Sequence, residues 1–121
     1  MEKILLFQVN ASDRKIIEKI SGNMRIKVEN IPEKLYLYKM GELAEGGVNA
    51  QKESGDAQNQ PLNGSLLVFV GVTDKHMDKL LFEIRRQNLS VKHKAVLTPT
   101  NKEWNVYQLF FQMELECQKL S

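Results

Sequence analysis

Four segments of the chain have the hydrophobic pattern of β-strands. Residues 3–9 are almost continuously apolar, and residues 66–70 form the most uniformly apolar run in the chain. Such runs are typical of strands that are buried on both faces of a sheet. Residues 25–31 alternate between apolar and charged side chains, which indicates a half-exposed strand near a sheet edge. Residues 91–97 begin polar and end apolar, and they predict a fourth strand.

Each of the two most apolar strands is followed by the periodicity of an amphipathic helix. Apolar residues recur at helical spacing from Ile16 to Met24, and Asn10 or Ser12 can cap this helix. A second helix of the same kind follows residues 66–70, with Thr73 as its predicted cap. Each half of the chain therefore predicts strand–helix–strand, followed by further helical sequence.

Two such units predict an α/β fold with a four-stranded, mostly parallel sheet and helices packed on it, because a helical crossover makes the two strands that it joins parallel. Residues 33–45 predict a short helix or turn over the core. If the middle of the chain turns back instead of crossing over, the alternative is a ferredoxin-like α+β arrangement.

The middle of the chain has a different composition. Residues 44–65 are rich in Gly, Gln and Asn and offer almost nothing to bury, so we predict a flexible internal surface loop there. The rest of the 121 residues suffices for one hydrophobic core, and we predict a single domain over residues 1–121.

Charge and cysteine content narrow the class of protein. Seventeen basic and 15 acidic residues give a net charge of +2, so no strong field favours nucleic acid or an anionic membrane. A single cysteine, Cys117, excludes an intramolecular disulfide and favours a reducing compartment. No apolar run resembles a signal peptide or a membrane span. The sequence therefore predicts a cytoplasmic protein with no membrane association.

The last predicted helix is apolar over more than half of its circumference. Thr100 and Glu103 have the spacing of a capping box at its start. Its apolar residues form two stripes, the first of Trp104, Tyr107, Phe111 and Leu115 and the second of Val106, Leu109, Phe110, Met113 and Cys117. One apolar stripe suffices for a surface helix of a small domain, so the second stripe must be covered by residues 35–43 or by another subunit. We predict self-association as a homodimer, with four aromatic residues as the candidate interface: Trp104, Tyr107, Phe110 and Phe111.

The sequence contains no recognisable catalytic constellation. The strand-to-helix turns lack a glycine-rich phosphate loop, and Asp74, His76 and Asp78 are spaced so that only the two aspartates share a helix face. We therefore predict no catalytic residue, no metal and no cofactor. Residues 75–94 carry six basic and two acidic side chains, but they lack the aromatic platforms of most nucleic-acid binders, which makes nucleic acid an unfavoured partner.

Small polar residues follow the predicted strands. In an open parallel sheet, ligands bind beyond the carboxyl ends of the strands, and the residues placed there would converge on one rim. The candidate ligand-binding residues are Asn10, Ser12, Thr73, Thr98, Thr100 and Asn101.

The second half of the chain resembles a known family. Residues 67–71, residues 78–86 and above all residues 94–101 with Trp104 resemble a family of small bacterial proteins that is classed as a domain of unknown function. The resemblance implies a self-contained bacterial domain, and it implies no catalytic activity.

These observations favour a noncatalytic binding or regulatory module that self-associates. The first alternative is a small-ligand binder or an enzyme that uses the polar residues at the strand ends. The second alternative is a weak nucleic-acid binder that uses the basic face of residues 75–94.

Overall fold

The computed structural model describes residues 2–46 and 62–120, with side chains up to residue 116. The predicted loop over residues 44–65 falls largely outside the described residues. Before the undescribed residues, a helix continues to Glu45. After them, Leu62 is buried, and its main-chain N–H and C=O each form a hydrogen bond with the Gln8 side chain.

The first half of the chain forms β1 (Lys3–Phe7), α1 (Ala11–Asn23), β2 (Lys27–Ile31), a 3₁₀ turn (Glu33–Leu35) and α2 (Met40–Glu45). The second half forms β3 (Leu66–Val70), α3 (Asp74–Arg86), β4 (His93–Val96), a second 3₁₀ turn (Asn101–Glu103) and α4 (Val106–Leu120). The same succession of elements thus occurs twice. The predicted capping box at Thr100 is wrong, since α4 begins later, where the Asn105 and Gln108 side chains each accept the other's main-chain N–H.

The four strands form one sheet in the order β2-β1-β3-β4. The pairs β1–β2 and β3–β4 are parallel, whereas the central pair β1–β3 is antiparallel. This confirms the predicted α/β fold with two βαβ units in a mostly parallel sheet. The ferredoxin-like alternative is wrong, because there the strands of each βαβ unit are separated by another strand, and here they are neighbours.

The helices cover both faces of the sheet. On one face, α1 and α3 pack on Ile4, Leu6, Leu67 and Phe69. On the other face, α2 and α4 pack on residues of alternating position in the same strands, such as Leu5 and Val68. Both central strands are therefore buried on both faces, which is why their sequences are continuously apolar.

The two units repeat the same backbone details. Helices α1 and α3 each have 13 residues, and the side chains of Asn10 and Thr73 cap them. Corresponding residues take the left-handed conformation in both units: Gln8 (φ 61°) and Gly71 (φ 62°) after the strand, Arg25 (φ 59°) and Asn88 (φ 57°) after the helix. The two units are thus structural repeats, and the antiparallel β1–β3 pair joins them.

The repeat gives a prediction at Arg25, which has the left-handed conformation without a side chain suited to it. Since this conformation costs a non-glycine residue roughly 1–2 kcal/mol, we expect Arg25→Gly to raise the free energy of unfolding by about 0.5–1 kcal/mol after the backbone entropy of glycine is deducted. Urea denaturation measures the change. Asn88→Gly is the matched control and should gain less, because asparagine tolerates this conformation; an equal gain at both positions would contradict the explanation.

Candidate functional site

The antiparallel pairing of β1 and β3 divides the predicted ligand-binding residues between two ends of the sheet. The end of β1 lies beside the start of β3, because Phe7 pairs with Leu66. Asn10 and Ser12 therefore lie at one end, and Thr73 lies at the opposite end with the residues that follow β4. The predicted convergence of all six residues on one rim is wrong, because that prediction assumed a parallel central pair.

Most of these side chains are engaged in local hydrogen bonds. Asn10 Oδ1 accepts from the Asp13 N–H at 2.8 Å, and Thr73 Oγ1 accepts from the His76 N–H at 3.2 Å. Thr98 and Asn101 form a reciprocal pair, in which each side-chain oxygen accepts the main-chain N–H of the other. These hydrogen bonds identify Asn10 and Thr73 as helix caps, and Thr98 and Asn101 as residues that stabilise a turn.

The buried Asn101 also satisfies one main-chain acceptor at the edge of the sheet. Its side-chain amide donates to the carbonyl of Val96 at 2.9 Å, at the end of β4. The side chain thereby joins the last residue of the strand to the 3₁₀ turn before α4. Ser12 and Thr100 are exposed, and Thr100 borders a cavity described below.

The start of α3 holds the N-terminal end of β1. Glu2 Oε2 accepts from the Thr73 N–H at 2.9 Å, and His76 Nδ1 lies 2.7 Å from the same oxygen. The hydrogen bond from Thr73, followed by that from His76, holds the pKa of Glu2 below its ordinary value of 4.5. His76, which composition alone suggests as a metal ligand, is thus a partner of a carboxylate.

This cluster predicts a pH dependence of stability. A carboxyl group whose pKa is lowered in the folded state stabilises the fold above its unfolded pKa and loses that effect as the pH falls through the folded value. We expect Glu2→Gln to have a lower free energy of unfolding than the native chain at pH 7, and the difference to narrow as the pH falls below 4.5. Urea denaturation at pH 7 and at pH 3.5 tests this; a difference that is as large at pH 3.5 as at pH 7 would contradict it.

The candidate interface residues of α4 lie mostly inside the chain. Phe110 is buried, while Trp104 and Tyr107 are half-buried and pack against the core cluster that contains Tyr36 and Met40. Part of the apolar surface of α4 is therefore covered within the chain, by the cluster to which residues 35–43 contribute, as the intrachain alternative predicted. Of the four candidates, Phe111 is the exposed one, at 63%. Homodimerisation itself stays a prediction.

A clamp that sequence reasoning missed fastens α4 to the start of β4. Glu114 on α4 accepts from Lys92 Nζ at 2.9 Å, and its second oxygen lies 2.9 Å from Nε2 of the buried His93. The His93 ring also stands edge-on to Phe110, with centroids 5.1 Å apart. The bonds from Lys92 and then His93 lower the pKa of Glu114. These contacts connect α4 directly to the start of the outer strand.

Within residues 2–46 and 62–120, no strand lies on the outer side of β4, because β4 is the last strand in the order of the sheet. The N–H groups of His93 and Leu97 point inward and donate to carbonyls of the β3 side. The main-chain groups of successive residues in a strand point to opposite sides. The main-chain N–H and C=O of Lys94 and the N–H of Val96 therefore point outward. We call these three groups the β4 edge. The Val96 side chain beside them is 43% exposed.

Two cavities border the β4 edge, one on each face of the sheet. The α3-side cavity has a volume of about 240 Å³ and the α4-side cavity about 390 Å³, and Lys94 borders both. The α3-side cavity is lined by Leu81, Ile84, Arg85, Asn88, Leu89 and Lys94. The α4-side cavity is lined by residues 94–96 and by Thr98, Thr100, Asn101, Trp104, Leu109, Gln112, Met113 and Glu116.

Two searches over the described residues bear on other classes of site. Within residues 2–46 and 62–120, no three His, Cys, Asp or Glu side chains gather as a metal-binding group. None of the helices in this part of the chain has the length and apolar character needed to cross a bilayer.

The fold and the edge together define the class: an α/β protein of two βαβα units with an open outer strand between two cavities. Comparison with known proteins adds one finding. Residues 65–116 match the model of a domain of unknown function (DUF3783). No curated protein and no solved structure matches the chain. The match spans the second unit from the residue before β3 to Glu116 in α4, and this confirms the resemblance noted from the sequence as one to a domain of unknown function.

Proposed function

We propose that the chain is a noncatalytic binding module that accepts an extended peptide segment as an additional strand on the β4 edge. The observation that carries this proposal is the set of outward main-chain groups at Lys94 and Val96, placed between two cavities. In strand addition, main-chain hydrogen bonds supply affinity, and pockets for alternate side chains supply specificity. The β4 edge offers both features.

The clamp at Glu114 supports this proposal. An added strand needs a groove of constant width between the edge strand and the adjacent helix. Glu114 fixes α4 relative to Lys92 and His93 at the start of β4, and Asn101 fixes the other end of the strand. Because both ends are fastened within the chain, the groove is formed before any peptide arrives, which reduces the entropy lost on binding.

The test blocks the edge without breaking the sheet. Val96→Pro removes one outward N–H, and proline is tolerated where the N–H of an edge strand faces solvent. The probes are synthetic peptides selected on the full chain from a random decapeptide library, with affinity measured by fluorescence anisotropy. We expect Val96→Pro to weaken binding at least tenfold, roughly the loss of one hydrogen bond together with a steric clash.

Asn30→Pro is the matched control, because Asn30 holds the corresponding position on β2, at the opposite edge. This variant should bind the peptides as the native chain does, and both variants should keep the native circular dichroism spectrum. Hydrogen exchange should show that a bound peptide protects the amides of Lys94 and Val96. Unchanged binding by Val96→Pro, or a failure of every selected peptide to bind, would refute strand addition.

Self-association through α4 is a second candidate, and the exposure of Phe111 favours it. Light scattering at micromolar concentration tests it. A dimer that Phe111→Ala dissociates would support it, whereas a monomeric native chain would exclude it. A cytoplasmic location is likewise proposed, on the single cysteine in the sequence.

A further inference from the structure

The two cavities beside the β4 edge differ in charge. Arg85 and Lys94 border the α3-side cavity, whose remaining lining is Leu81, Ile84, Leu89 and the neutral Asn88. The α4-side cavity is larger, Trp104, Leu109 and Met113 belong to its apolar lining, and its charged lining residues are one cation and one anion, Lys94 and Glu116. A strand that lies along β4 must present its side chains to the two cavities in alternation.

The two cations of the α3-side cavity differ from their neighbours in the chain. Arg86 pairs with Glu83 at 2.7 Å, and Lys92 pairs with Glu114 at 2.9 Å. Among the ion pairs of residues 2–46 and 62–116, neither Arg85 nor Lys94 takes part. Both side chains are exposed. The cavity therefore presents two positive charges that a ligand can neutralise.

We infer that the added strand carries an acidic side chain toward Arg85 and Lys94 and, at the adjacent position, a large apolar side chain toward Trp104 and Met113. This inference rests on the proposed strand addition and specifies its ligand. The carboxylate would pair with both cations, next to the apolar lining residues Leu81, Ile84 and Leu89. The apolar neighbour would fill the α4-side cavity, where it is removed from water.

The same charges argue against a second copy of the chain as the occupant. Antiparallel pairing of two β4 strands places a two-fold axis perpendicular to the joined sheet, so α3 of each copy would lie on the same face. Arg85 and Lys94 of one copy would then approach those of the other, and like charges at an interface oppose association. An acidic peptide converts this repulsion into attraction.

The test uses paired peptides on the full chain. Each selected decapeptide that contains an apolar–aspartate pair is compared with the same peptide in which asparagine replaces the aspartate. We expect the asparagine peptide to bind about five- to tenfold more weakly at low salt, as the loss of a charge pair at an interface rim predicts. The difference should shrink as salt is added.

Protein variants identify the cations. Arg85→Ala and Lys94→Ala should each weaken the aspartate peptide several-fold and weaken the asparagine peptide much less, so that the difference in affinity between the two peptides shrinks. Arg86→Ala is the matched control and should change neither affinity, because Arg86 pairs with Glu83. Arg85→Glu should reverse the preference in favour of a peptide with lysine at the acidic position.

The outcomes separate this inference from the proposed function. Equal binding of aspartate and asparagine peptides, both abolished by Val96→Pro, would overturn the acidic preference and retain strand addition. Binding that Val96→Pro leaves intact would overturn both. A native dimer that Val96→Pro converts to a monomer would identify a second copy as the occupant and would also overturn the inference.

Discussion

Phe7→Ala should lower the free energy of unfolding by about 3–5 kcal/mol, the range for deleting a large aromatic side chain from a core. Phe7 is fully buried at the end of β1, and its ring lies 5.6 Å from that of Tyr36. Tyr36 in turn contacts Tyr107 of α4, with ring centroids 5.9 Å apart. Tyr36 is itself buried, and this burial raises the pKa of its hydroxyl to about 12.

Urea denaturation of the purified variant measures this effect. The matched control is Phe111→Ala, which removes the same side chain from a position that is 63% exposed. Substitutions at such positions stay within about 0.5 kcal/mol. Similar losses for both variants would mean that Phe111 is covered in solution, which would support association through α4 and contradict the packing described above.

Ser21→Ala should act in the opposite direction and raise the free energy of unfolding by roughly 1–2 kcal/mol. Ser21 lies in the last turn of α1 and is fully buried. Among the described residues its hydroxyl oxygen has no hydrogen-bond partner. An unsatisfied buried hydroxyl costs about 1–3 kcal/mol, and alanine also has the higher helix propensity. In the second unit, Ile84 holds the corresponding place and is buried against the same side of the sheet.

The control for Ser21 is Ser12→Ala, on an exposed position in the first turn of the same helix. This substitution shares the gain in helix propensity but removes no buried polar group, so it should change stability by no more than about 0.5 kcal/mol. Thermal and urea denaturation should agree on the order of the two variants. A destabilised Ser21→Ala would show that the hydroxyl has a partner after all.

Hydrophobic periodicity predicted all four strands and the two crossover helices correctly, because each is a local pattern that burial imposes on neighbouring residues. The orientation of β3 relative to β1 could not be predicted in this way. It depends on the path of the segment after α2, and residues 47–61 have no apolar periodicity from which to infer that path. The candidate ligand site nevertheless required both strands to end at the same rim, which is why its predicted convergence was wrong.

The local sequence pattern also could not predict what covers the apolar surface of α4. The sequence showed two apolar stripes between Trp104 and Cys117, but whether the second stripe met residues 35–43 or another chain is a question of long-range packing. The clamp between His93 and Glu114 was missed for the same reason. The β4 edge left a weak local signal, because Lys92 and Lys94 alternate with buried His93 and Ala95, as charged side chains do on exposed strands.

The extent of the family match bears on shorter proteins that contain a single repeat. Residues 65–116 contain β3, α3, β4 and most of α4, and within this chain the flank of β3 is closed by β1. A shorter protein built from one such repeat would leave that flank bare. Two copies could close it by the antiparallel pairing that β1 and β3 make here, so that what is one polypeptide in this protein would be assembled elsewhere from two.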